Sequence, residues 1–87
     1  MSSSVQNIAV TARVRIPTPI YNRVSINIEV PDTETHAIKI TDSTNGGYKT
    51  ISPGADISID VGNGESFFWE SDDGTSTSNV VLLGTGF

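Results

Sequence analysis

Apolar and polar residues alternate with a period of two along most of this chain, and that period builds strands where a 3.6-residue stripe would build helices. Ile8, Val10, Ala12, Val14 and Ile16 alternate with Ala9, Thr11, Arg13 and Arg15. This predicts one long strand with a dry face and a wet face. Pro17-Thr18-Pro19 ends it, because proline cannot donate to a ladder and biases its predecessor to extended geometry. Val24, Ile26, Ile28 and Val30 repeat the pattern up to Pro31, and Ile38 and Ile40 carry a shorter strand. No apolar stripe at i, i+3, i+4, i+7 competes with this reading.

The punctuation agrees. Asp42 to Gly47 is a turn-rich loop, a brief strand is expected over Tyr48 to Ile51, and Ser52-Pro53-Gly54 places proline and glycine where a tight turn uses them. Ile57, Ile59 and Val61 alternate with Asp56, Ser58 and Asp60. Gly62-Asn63-Gly64 then predicts a hairpin into Glu65 to Ser71, and Asp72-Asp73-Gly74-Thr75 a second reversal into Ser78 to Leu83. Six to seven short strands joined this way predict an all-β fold, a single small antiparallel β-sandwich or barrel, jelly-roll-like or immunoglobulin-like. Residues 1–7, with three serines, read as a flexible N-terminal arm, and residues 8–87 as one domain.

Chemistry is scarce. Eighty-seven residues hold one core, and the absence of cysteine removes disulfides, thiolate ligands and a thiol nucleophile together. Over residues 1–49, five basic residues against four acidic ones leave +1, while the remainder carries six acids and no base, for −6. A free-standing nucleic-acid binder needs clustered Lys and Arg, so no nucleic-acid partner is expected. No apolar run approaches the ~20 residues of a membrane helix, and the first residues lack a signal-peptide pattern, so a soluble protein made in the cytoplasm is expected. The sole histidine, His36, has no second histidine beside it in sequence and reads as a surface residue at a strand start. Asp72-Asp73-Gly74 lacks the ligand spacing of a calcium loop and reads as a turn. No catalytic, cofactor or metal residues emerge, and a non-enzymatic protein is expected.

Two segments carry more apolar surface than alternation requires, Phe67-Phe68-Trp69 and Val80-Val81-Leu82-Leu83. Phe67 and Trp69 share a core parity, which leaves Phe68 on a face with Ser66 and Glu70. Either Val80 and Leu82 or Val81 and Leu83 face away from the core. If the two strands pair as a hairpin, Phe68 joins the outward members in one patch fit for a protein partner. Tyr21 and Arg23 lie in a proline-stiffened loop with the aromatic and cationic character of contact centres. The candidate partner-binding residues are therefore Phe68, Val81, Leu83, Tyr21, Arg23 and, at the C-terminal tip, Phe87. An alternative is a carbohydrate-binding module or lectin-like domain that stacks a sugar on Phe68, Trp69 or Tyr21 beside Asp72 and Asp73.

From Ile38 to Leu83 the order of features is Ile38-Lys39-Ile40, a Gly-rich loop, Ile51-Ser52-Pro53-Gly54-Ala55-Asp56-Ile57, Gly62-Asn63-Gly64, Phe67-Phe68-Trp69 and Val80-Val81-Leu82. This resembles the small β-sandwich virion proteins of tailed bacteriophages, over about half the chain. The resemblance implies a capsid decoration (cement) or head-fibre protein, assembled in the host cytoplasm into the virion. Its partner would be the major capsid protein or another virion protein. It further implies a homo-oligomer, with trimers at shell threefold positions by analogy.

Overall fold

The computed structural model describes residues 3–19, 21–44 and 47–85. Eight strands form in chain order: β1 (Ser3–Val10), β2 (Val14–Arg15), β3 (Val24–Glu29), β4 (Ile38–Asp42), β5 (Gly47–Ile51), β6 (Asp56–Val61), β7 (Phe67–Ser71) and β8 (Ser78–Thr85). They make two four-stranded antiparallel sheets, ordered β1-β8-β3-β6 and β2-β7-β4-β5. The first and last strands pair, as do the second and seventh, the third and sixth, and the fourth and fifth. The chain is thus one long antiparallel hairpin with its tip between β4 and β5. Wrapping that hairpin brings β3 against β8 and β4 against β7, and the result is a jelly roll. The immunoglobulin-like alternative does not have this order.

Of the seven connections only β4 to β5 stays within a sheet; the others cross between layers that pack ~10 Å apart. Two expectations change as a result. The Gly62–Glu65 turn forms, with Glu65 N donating to Gly62 O at 3.0 Å and Gly64 at φ 80°. It joins strands of different sheets and not a hairpin, because residues 65 and 66 carry the chain to the other layer. The Asp72–Thr75 reversal likewise leads from β7 in one sheet to β8 in the other.

The expected strand from Ile8 to Ile16 is also divided. The ladder of β1 ends at Val10; Thr11 O then accepts Ser71 N at 2.9 Å, and Ile16 N donates to Phe67 O at 2.9 Å, so the chain turns the corner into the second sheet. Val10 and Ile16 reach the core from opposite layers, and Ala12 and Val14 between them are exposed. At its start the strand is longer than expected. Residues 3–7, read as part of a flexible arm, continue β1 and pair with β8 from Ser3↔Thr85 to Asn7↔Val81; the strand begins at Ser3 and not at Ile8, because β8 runs to Thr85 and supplies a ladder for it.

The core lies between the sheets. Ile26, Ile28, Ile59, Val61, Val80 and Leu82 enter from one layer and Ile38, Ile40, Ile51 and Trp69 from the other. Outside β8, whose run from Val80 to Leu83 is apolar at both parities, each has the parity expected to face inward, so the period-two pattern identifies the inward face there.

Candidate functional site

Inward packing of Val80 and Leu82 settles which members of the last strand face out: Val81 is half-buried and Leu83 is 42% exposed. On that outer face, register places Val5 opposite Leu83 and Asn7 opposite Val81, and on the other side Asn27 opposite Leu83 and Glu29 opposite Val81. Val5 is 65% exposed. Val5, Leu83 and Val81 therefore make an apolar strip along the β1–β8 half of the sheet. The β3–β6 half is polar and acidic. Ser25 donates to Asp60 at 2.7 Å, Asn27 to Asp56 at 2.8 Å and to Ser58 at 3.2 Å, and Glu29 completes the set. No Lys or Arg lies on the strands of this sheet.

Phe68 does not join that strip. It lies on β7, on the outer face of the other sheet, opposite Arg15 on one side and Thr41 on the other. The single patch expected from a β7–β8 hairpin is therefore two separate surfaces. Phe68 is also covered from within: the Arg13 guanidinium stacks 4.2 Å from its ring centroid. Arg13 is held there by Nη2 donating to Asp42 O at 3.0 Å and Nε to Thr41 Oγ1 at 3.4 Å. Arg15 donates to Thr18 O and, at 3.4 Å, to Ser66 Oγ. With Lys39 opposite Glu70, this face carries a cationic excess, the reverse of the acidic first face. Charge that the sequence divides between halves of the chain is divided in space between sheets.

The remaining candidates stand apart. Tyr21 is 86% exposed and Arg23 is exposed, both in the segment between β2 and β3. Phe87 lies outside the described residues. Trp69, named as a sugar-stacking platform, is 1% exposed and packed in the core, so it cannot meet a ligand without unfolding β7.

One cluster was invisible in sequence. His36, half-buried two residues before β4, has Nδ1 2.8 Å from Asp72 Oδ1 and 3.9 Å from Asp73 Oδ2. A hydrogen bond to the carboxylate assigns the proton to Nδ1. Asp72 N donates to Ala37 O at 3.0 Å, and buried Ser78 donates to His36 O at 2.7 Å. The β7–β8 connection is thereby clasped to the segment leading into β4. Asp73 accepts from Thr75 N at 2.9 Å, Ser76 N at 2.7 Å, Ser76 Oγ at 2.7 Å and Ser71 Oγ at 3.2 Å. These bonds, led by the Ser76 hydroxyl, hold its carboxyl well below the usual carboxylate range. His36, Asp72 and Asp73 bring three ligand atoms within 4.8 Å of one another. A structural zinc site needs a fourth ligand, and the Asp73 lone pairs are largely committed to the loop. The cluster acts as a latch between two loops.

Val5 is the contact candidate that sequence reasoning missed. Counting the β1 alternation backwards from Ile8 and Val10 puts Val5 on the opposite face, which is the signal that would have found it. Compared with known proteins, the chain matches no family model and no curated sequence.

Proposed function

We propose that this protein is a non-enzymatic structural component of a tailed-phage virion, a decoration or cement protein that binds the assembled shell through protein contacts. The observation that supports this most directly is the outward strip of Val5, Val81 and Leu83. Exposed apolar side chains gathered in one row, bordered by acids, suit docking on a surface that presents apolar groups flanked by cations. Val5 and Leu83 would supply the buried anchors, and Glu29, Asp56 and Asp60 the electrostatic border. A protein that binds only the assembled lattice stabilises it by linkage, since each bound copy lowers the free energy of the shell relative to free subunits. The jelly roll is compatible with virion roles, although the same fold serves many others.

The test adds purified protein to bare phage shells and measures co-sedimentation and the shell disassembly temperature. Binding with a raised disassembly temperature is expected, and Leu83→Asp, which puts a charge in the centre of the strip, abolishes both. Shells that neither bind the protein nor gain stability overturn the proposal.

A further inference from the structure

Each sheet ends in two edge strands whose outer backbone groups can pair with another chain, and proteins blunt such edges with charge, brevity or irregularity. Three of the four edges here are blunted. β2 has two residues. β5 is short, carries exposed Lys49, and its ladder with β4 shifts register at Ile40/Thr41. β6 carries exposed Asp56 and Asp60. The fourth edge, β1, is different: eight residues, Ser-Ser-Val-Gln-Asn-Ile-Ala-Val, with no charge, no proline and no glycine. Among the described residues it pairs with β8 alone.

We propose that β1 is a self-pairing edge, along which two copies of this chain join antiparallel about a twofold axis into one continuous eight-stranded sheet. The occupant is a second copy because β1 is the one long edge that can meet itself without repulsion. Paired with its own copy, β6 would bring aspartates together. The acids of the β1 sheet are also remote from the junction. The nearest strand that carries one is β3, two strands in, so β3 and its mate in the second copy are five strand spacings apart. At ~4.8 Å per spacing this is ~24 Å, more than two Debye lengths at physiological salt. The nearest carboxylate from a loop is Glu34, which accepts Asn79 N on β8 at 2.7 Å. β8 and its mate are three spacings apart, ~14 Å, close to two Debye lengths, so the net charge of −5 per chain opposes the pairing only weakly.

Geometry also restricts the register. Paired residues share a face, so the two copies must pair residues of like parity, and Val5, Gln6, Asn7 or Ile8 falls on the axis; a one-residue slip would turn the inner faces outward. With Asn7 on the axis, Val5 of one copy lies opposite Ala9 of the other. Edge pairing uses backbone groups and leaves outward side chains free, so the Val5–Leu83 strip of each copy would meet its mate in one longer apolar surface. An antiparallel pair has twofold symmetry, in contrast to the trimer implied by resemblance.

The test is sedimentation of the full chain over a concentration series, with expected growth from 9.2 kDa to twice that mass. The double variant Asn7→Lys with Ala9→Lys adds like charge at the junction on exposed positions; it is expected to remain monomeric with unchanged circular dichroism and Trp69 emission. Because the chain has no cysteine, single variants Val5→Cys, Gln6→Cys, Asn7→Cys and Ile8→Cys read the register. Residues opposite one another in an antiparallel pair lie ~4.5–5.5 Å apart at Cα, within disulfide reach, so one position is expected to cross-link far faster than the others. A monomer at concentrations up to about 1 mM, a dimer that survives both lysines, or equal failure of all four cysteines would overturn self-pairing. Shell binding is probed at Leu83 on β8 and self-pairing at β1, so either idea can fail alone.

Discussion

Removing the Arg13 guanidinium tests whether Phe68 is satisfied within the chain. The side chain makes a cation–π contact at 4.2 Å and bonds to Asp42 O at 3.0 Å and Thr41 Oγ1 at 3.4 Å. An exposed cation–π contact contributes about 0.5–1 kcal/mol, and a hydrogen bond from a charged donor somewhat more than the usual ~1 kcal/mol when shielded and less when wet. Arg13→Ala should therefore cost about 1–2 kcal/mol, or roughly 4–16 °C in melting temperature for a domain of this size. Urea unfolding followed by emission of the single buried tryptophan, Trp69, measures it. The decisive comparison is the double-mutant cycle with Phe68→Ala: the stacking predicts a coupling of about 0.5–1 kcal/mol between the two positions. Arg13→Lys should recover only part, because an ammonium cannot stack flat and reach both oxygens. Additive single effects, within about 0.3 kcal/mol, would refute the covering of Phe68 by Arg13 and restore it as a free contact surface.

Trp69→Ala should cost about 3–5 kcal/mol by emptying a fully buried site, against a total stability of about 4–13 kcal/mol for 87 residues. Circular dichroism in urea reads it, and Trp69→Phe should recover most of the loss. At Asp73, hydrogen bonds favour the charged form, so its folded value lies below its unfolded one. The stabilisation is then fully present above about pH 4 and lost as pH falls towards the folded value. The stability difference between wild type and Asp73→Asn should shrink as pH falls below about 4; a difference that persists or grows there would contradict the hydrogen-bond network.

The all-β class and the inward faces of the alternating strands were legible in the sequence. Alternation at Val24–Val30 and Ile57–Val61 reports which side chains leave water, and burial follows parity along both strands, whereas the continuous apolar run of Val80 to Leu83 has no alternation and its inward face was decided by the fold. Turn chemistry located the reversals at Gly62–Glu65 and Asp72–Gly74. Side-chain parity is a property of one strand, so it survives without knowledge of neighbours. Partner choice is not local. A four-residue turn has the same sequence whether the next strand pairs beside the last or crosses to the facing layer, and the corner between Val10 and Val14 has no glycine or proline to mark it. Only the wrapped sheets decided that Phe68 and Leu83 lie on opposite faces, that Val5 joins Leu83, and that His36 meets Asp72. The two contacts join residues 36 and 78 positions apart, and long-range pairing of that kind depends on how all eight strands share one core.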